Sequence, residues 1–526
     1  MRISHSPQRL LTGGIGFALL LMAACGTSGN QGSTSKTLVV DKSFDMKTAD
    51  PGREFEISGS IVVKGLYDTL LTFKGSDVTK AVPSLASSYD GSSDATTYTF
   101  HLRHDVKFSD GTPLTSADVV FSFNRMKNIK GNPSFLLAGV TTTAPDPYTV
   151  VLTADAPNTA IPFIVPNPAL GVVNSKVVKA NGGTDAVGAD KSDTAEPFLD
   201  KTSAGSGPYI LQSFSTTSQV VMVTNPKYWG TPPAYSKVVV RNVVAATQSL
   251  DVQKNVAQIA LDLSPDQASS LGSNLQVQQS ASPNVFFMFA NANPSVSRVT
   301  SNKNFQDAVR YGLDYAGLVQ LAGKGAIQAA GIIPSLFLGA LPQSDALTRD
   351  LTKAKAALAA SGFTNPTVTL EYPSDITVNG LQFQPGAERI QANLKDVGIS
   401  VTLAPAPVAS SLANYRAGKE VLGYWLWGPD FPDPSDYLVF LPGRLVGLRA
   451  GWAAGSDPAV EALGKQAETT VADSARAALY QQIQKELDLH GPIIPLFQPG
   501  QVIAASNSVH NLTSNPTWTI DVASFN

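Results

Sequence analysis

One cysteine in 526 residues, Cys25, decides how this chain can hold itself together. No disulfide can close within it, so the fold has to rest on apolar burial, which a chain of this length supplies through two or more domains. The composition meets that demand. Hydrophobic residues make up 43% and charged residues 15%, while 42 Gly and 35 Pro mark frequent turns. Beyond His5, histidines stand at 101, 104, 490 and 510, without the clustering of a metal site.

Arg2 and Arg9 precede an apolar run from Leu11 to Ala24, too short to span a bilayer comfortably and laid out as a secretory signal. The run ends in Leu21-Met22-Ala23-Ala24-Cys25-Gly26, which resembles a bacterial lipoprotein signal, in which the cysteine becomes the lipidated first residue of the mature protein. Residues 1–24 are therefore expected to be removed. Residues 25–36, polar and Gly/Ser-rich, are expected to form a flexible tether that holds the exported body at the outer face of the cell membrane. Removing 1–24 deletes two arginines and no acid, moving the formal charge from -3 to -5. So mild an acidity argues against a nucleic-acid partner.

The stretch from Tyr424 to Tyr437, YWLWGPDFPDPSDY, concentrates the chemistry. Trp425 and Trp427, two apart, fall on one face of an extended strand, which then breaks into a Pro-rich loop carrying Asp430, Asp433 and Asp436. One reading is a stacking wall beside an acidic loop able to hold an ammonium group. The other is a buried strand whose tryptophans are core and whose Asp-Pro pairs shape turns.

Along the chain, Thr37-Leu38-Val39-Val40 reads as a first strand, and Tyr98-Thr99-Phe100-His101-Leu102-Arg103 alternates as a half-buried one. Val106 to Leu114 carries an Asp110-Gly111 turn, and Thr115 is placed to cap a helix with Asp118 in its first turn. Further strands are expected near 220–223, 238–241, 285–290 and 399–403, and helices over 305–321, 352–360 and 387–397. The order of the pieces 98–103, 106–115, 118–122 and Arg125 resembles the extracytoplasmic solute-binding proteins of peptide and nickel ABC transporters (family 5). Gly205-Ser206-Gly207-Pro208-Tyr209, Asn225 to Gly230 and Val309 to Asp314 recur downstream in that family's order.

The resemblance implies an α/β fold: a two-lobed, periplasmic-binding-protein-like clamp with an extra domain in the first lobe. Mapped here, lobe one takes 37–58, 204–291 and 493–526, the extra domain 59–203, and lobe two 292–492. It also implies a ligand, a peptide first of all, held between the lobes and delivered to the permease and ATPase subunits of an importer, with no cofactor. Asp430 stands where peptide-binding relatives pair the ligand's α-ammonium group, with Trp427 lining the neighbouring pocket and Trp425 beside it. Asp433 and Asp436 are expected to be structural, Asp436 as a helix cap. Dipeptide-specific relatives place an arginine just ahead of the helix at Ala387; Gln384-Pro385-Gly386 supplies none here, and Arg389, one turn further on, is the candidate ligand-binding residue that remains. Strict dipeptide specificity is therefore not expected, and an oligosaccharide stacked on the two tryptophans is the alternative ligand.

Catalytic motifs do not compete. There is no G-x-S-x-G elbow, H-E-x-x-H or phosphate-binding P-loop, and Ser33-Thr34-Ser35-Lys36 matches S-x-x-K only within the tether. The three loop aspartates have the composition of a glycosidase acid/base set, yet their spacing is equally that of turn chemistry. An exported glycoside hydrolase is the alternative from a different class.

Overall fold

Two mixed sheets organise the chain, and the burial pattern along their strands explains how each is covered. The computed structural model describes residues 36–526; the signal segment, Cys25 and the tether up to residue 35 lie outside the described residues. The first sheet runs Leu275–Ala281, Gly500–Ser506, Ile259–Ala260, Thr37–Lys42, Lys237–Asn242, Gln219–Thr224, Tyr209–Ser213. Thr37–Lys42 lies at its centre, parallel to both neighbours, and Leu38 and Val40 share a core with Val220, Met222, Val238 and Val240. The second runs Ile327–Gln328, Ile493–Gln498, Val285–Ala290, Leu422–Trp427, Thr367–Pro373, Ser400–Ala406.

Every residue of Val285–Ala290 is buried, which requires cover on both faces. Phe286, Met288 and Ala290 join the helices Lys303–Gly312 and Phe383–Val397 in one core, while Val285, Phe287 and Phe289 join a second core on the opposite face. This places the strand in the second sheet, paired with Leu422–Trp427 and Ile493–Gln498, and not in lobe one as the mapping onto 204–291 and 493–526 assumed. The change of sheet falls instead at Ser282-Pro283-Asn284 and at Pro499. Each crossing carries a proline, which has no N–H to extend a ladder. The two crossings touch: Ser282 N–H donates to the Pro499 carbonyl at 2.8 Å, and Gln498 Nε2 donates to the Ser282 carbonyl at 2.8 Å.

Between residues 59 and 203 a separate four-stranded antiparallel sheet forms, ordered Ala86–Gly91, Thr97–Leu102, Thr149–Ala154, Val140–Asp146. Helix Ser116–Ile129 packs on it, and the Thr115 N–H donates to Asp118 Oδ2 at 3.0 Å, satisfying a backbone donor at the helix start. Arg125 of this helix is buried between Asp50, at 2.6 Å, and Asp193, at 2.7 Å. That ion network ties the inserted segment to the chain that follows the first strand.

Two helices differ from expectation for identifiable reasons. The span 305–321 is two helices, Lys303–Gly312 and Tyr315–Ala322, separated where Asp314 accepts the Gly317 N–H at 3.1 Å and starts a new helix. Phe383–Val397 begins four residues before Ala387: Pro385 sits in the first turn, where no intrahelical N–H is needed. Gly386 there is fitted to its neighbour, since a Cβ would lie 2.5 Å from the Tyr424 hydroxyl.

Candidate binding site

Strand Leu422–Trp427 delivers the loop 428–433 to the junction of the two sheets. Asp433 turns the chain there, accepting the Ser435 N–H at 2.9 Å at the start of the 3-10 helix Pro434–Phe440. Both its oxygens also accept from Arg476 Nη2, at 2.7 and 2.8 Å, and both side chains are 1% exposed. Asp433 is therefore a structural ion-pair partner, as expected, and the capping role expected of Asp436 belongs to it.

Asp436 is buried and accepts two donors, Trp427 Nε1 at 3.2 Å and the Asp430 N–H at 3.1 Å. Burial, then the nearby Asp430 charge, holds its carboxyl well above the usual range. It thereby sets the orientation of the tryptophan and of the loop at Asp430. The Asp430 carboxylate itself makes no hydrogen bond or ion pair among the described residues, and desolvation pushes it up to about 6. Its backbone carbonyl accepts from Asn167 Nδ2 at 3.2 Å, a contact between residues 263 apart in the chain.

Asp430 faces a cavity of about 300 Å³. One wall comes from Phe55, Ile57, Gln501 and the segment Asn515–Thr519; the other from Phe337, Asn379 and Gly428–Pro432; Ser282-Pro283-Asn284 borders both. The cavity thus lies against the two chain crossings that join the sheets, with aromatic rings and carboxamides around one carboxylate. Asn379, in left-handed backbone at φ 50°, accepts from Asn284 Nδ2 at 2.8 Å and links the hairpin Thr377–Gln382 to the crossing.

Of the residues singled out from the sequence, only Asp430 reaches the cavity. Trp427 lies behind it, donating to Asp436 and packing edge-on against Phe440 at 5.6 Å. Trp425 is core, 5% exposed, stacked on Tyr415 at 4.7 Å, with Nε1 donating to Glu420 at 2.7 Å. The expected pair of open rings is corrected on that ground: the face they share packs into the apolar core. Arg389 is corrected too. Its helix covers the other face of the sheet, and it sits 3.8 Å from Asp314, away from the cavity. Phe55, Asn167, Asn379, Gln501 and Thr517 were not singled out, because they are scattered along the chain and only the Pro-Asn spacer at 283–284 marks a break in pattern.

Residues 80–443 match the bacterial extracellular solute-binding proteins, family 5 Middle. The chain belongs to this family. It is similar to the probable D,D-dipeptide-binding periplasmic protein DdpA of Escherichia coli K12, 28% identical over 487 residues that cover 91% of this chain and 92% of that protein. A dipeptide-binding protein of the same organism is 24% identical, covering 84% of each chain. Among solved structures, the fold matches the substrate-binding protein CtaP of Listeria monocytogenes with a TM-score of 0.80 at 19% identity, over 93% of this chain and 98% of that one. It also matches DppA from Helicobacter pylori in complex with peptide STSA, TM-score 0.74 at 21% identity, over 93% and 97%. These likenesses establish the two-lobed fold and place this solute-binding protein among exported proteins.

Proposed function

We propose that this solute-binding protein captures a peptide in the interlobe cavity, sets its ammonium group against Asp430, and delivers it to the permease of an ABC importer. The observation that carries the reading is the Asp430 carboxylate, which faces the cavity without a cation among the described residues. An ammonium group supplies the missing charge, and a charge-assisted hydrogen bond in a partly desolvated cavity is worth more than its counterpart in water. The relatives named for dipeptides, and the fold neighbour holding a peptide, support the ligand class. The two-tryptophan platform of the oligosaccharide alternative is not supported, since Trp425 is stacked on Tyr415 in the core and Trp427 does not line the cavity.

A ligand that touches both walls stabilises the closed arrangement by its differential contacts. We take the crossings at Ser282–Asn284 and Pro499 as the hinge, 59–203 as the extra domain, and Cys25 as the lipid attachment that keeps the protein near its permease. Peptide screening by thermal shift tests the ligand class: a peptide at one hundred times its dissociation constant adds about 2.7 kcal/mol. No shift with any peptide tested, or an unchanged affinity for Asp430→Asn, defeats the reading. Replacing Cys25 by Ser should release the protein from the membrane fraction.

A further inference from the structure

Charge around the cavity is one-sided. Among the described residues, Asp430 is the only ionisable side chain lining it, and no Lys, Arg or His does. Behind Asp430 stands a second carboxyl, Asp436, whose donors are the Trp427 indole and the Asp430 N–H. Arg476, a buried cation that reaches this loop from the helix Asp473–His490, is committed to Asp433 through both carboxylate oxygens. Arg444 pairs with Glu468 at 2.7 Å and lines a different cavity, against the inserted segment. The other polar side chains that line it are the five carboxamides of Asn167, Asn284, Asn379, Gln501 and Asn515 and the hydroxyls of Ser60, Ser282, Thr517 and Thr519, all uncharged. Carboxamides pair with peptide N–H and C=O groups. They do not neutralise a carboxylate, which buried beside Asp430 without a cation is strongly disfavoured.

Resting on the amine-anchoring role of Asp430, we infer that the ligand brings a positive charge and no free carboxylate into this cavity: an amino-terminated peptide unit whose carboxyl end is neutral or lies outside. A free dipeptide, with both termini confined to about 300 Å³, is the wrong class.

Calorimetry with three probes built on one dipeptide decides this: Ala-Ala, its C-terminal amide, and the N-acetylated amide. The amide is expected to bind about tenfold or more tighter than free Ala-Ala, the cost of an unpaired carboxylate, and the acetylated amide to lose that affinity. Equal or tighter binding of free Ala-Ala overturns the inference while leaving the amine anchor standing. Equal binding of both amides removes the amine anchor and the inference with it, as does a lack of binding by all three. Gln501→Lys supplies the missing cation at a side chain that lines the cavity from the strand Gly500–Ser506. It should narrow the gap between free acid and amide; a gap that stays unchanged while the variant remains folded also counts against the inference.

Discussion

The loop after the tryptophan strand holds two carboxylate sites that differ in one respect. At Asp433 the charge is answered from within: Arg476 meets both oxygens, and the pair is sealed from solvent. At Asp430 and Asp436 two carboxyls lie together with backbone and indole donors and, among the described residues, no cation. A buried charge that the chain neutralises itself serves the fold. One that the chain leaves unanswered at a cavity wall keeps the native state under strain until something brings the opposite charge. The same contrast separates Asp430 from Asp50 and Asp193, which share the guanidinium of Arg125.

The largest effect expected from this comparison is on stability at the answered site. Asp433→Ala leaves the buried Arg476 with only the exposed Asp473, 3.5 Å away, and should cost about 3 kcal/mol, read as a fall in the denaturation midpoint. Replacing both residues together with apolar side chains of similar volume should cost much less. A single substitution within about 0.5 kcal/mol of the parent would show that the pair is not sealed as described.

Asp430→Asn should do the reverse, lowering peptide affinity by about 1.5–3 kcal/mol without loss of stability. Its stability should also respond differently to pH. Burial raises the carboxyl from 3.8 to about 6, so between those values the folded state holds the proton more often than the unfolded chain does. Stability contributed by this group is therefore present below about pH 4 and lost as pH rises through 6. Denaturant titrations from pH 4 to 7 should show the parent losing ground against Asp430→Asn across that window. Because Asp430 and Asp436 titrate as a pair, the loss belongs to both. Parallel curves for the two proteins would contradict the unanswered-charge account.

How far this arrangement was legible beforehand depends on whether its cause is local. The strand through Trp425, the Asp110-Gly111 turn and the start of the helix at Ser116 follow from residues within a few positions of each other, and they were read directly. The beginning of the helix at Phe383 was hidden, because Pro385 and Gly386 read as breakers unless the first turn's free N–H positions are considered. The sequence around Trp425 suits a core ring and an open one alike, and it is Tyr415 and the Glu420 carboxylate packed against it that decide for the core. The cavity wall was beyond local reading altogether: Phe55, Asn167, Asn379 and Gln501 meet only through the topology of two sheets crossed twice.

Trp427 gives a smaller effect that sharpens the comparison. Trp427→Phe keeps the ring against Phe440 but removes the donor to Asp436. Stability should fall by about 1 kcal/mol. Peptide affinity should fall too, by less than for Asp430→Asn, since the loop loses one restraint while the carboxylate remains. Trp425→Phe is the matched control: it loses the donor to Glu420 in the core, and should reduce stability while leaving affinity unchanged by calorimetry.

The smallest effect is expected at Arg389, where the ion pair is exposed. Arg389 and Asp314 are 3.8 Å apart and 37% and 29% exposed, so solvent and salt screen the attraction. Arg389→Ala should change stability by no more than about 0.5 kcal/mol. Peptide affinity should be unchanged, because the sheet lies between this helix face and the cavity: Tyr424 points toward the helix and Trp425 away from it. Calorimetry with one peptide on Arg389→Ala and Asp430→Asn separates the two faces directly. A loss of affinity at Arg389 comparable to that at Asp430 would mean that ligand contacts extend to the helix side, and that the cavity is not where the charge of the peptide is met.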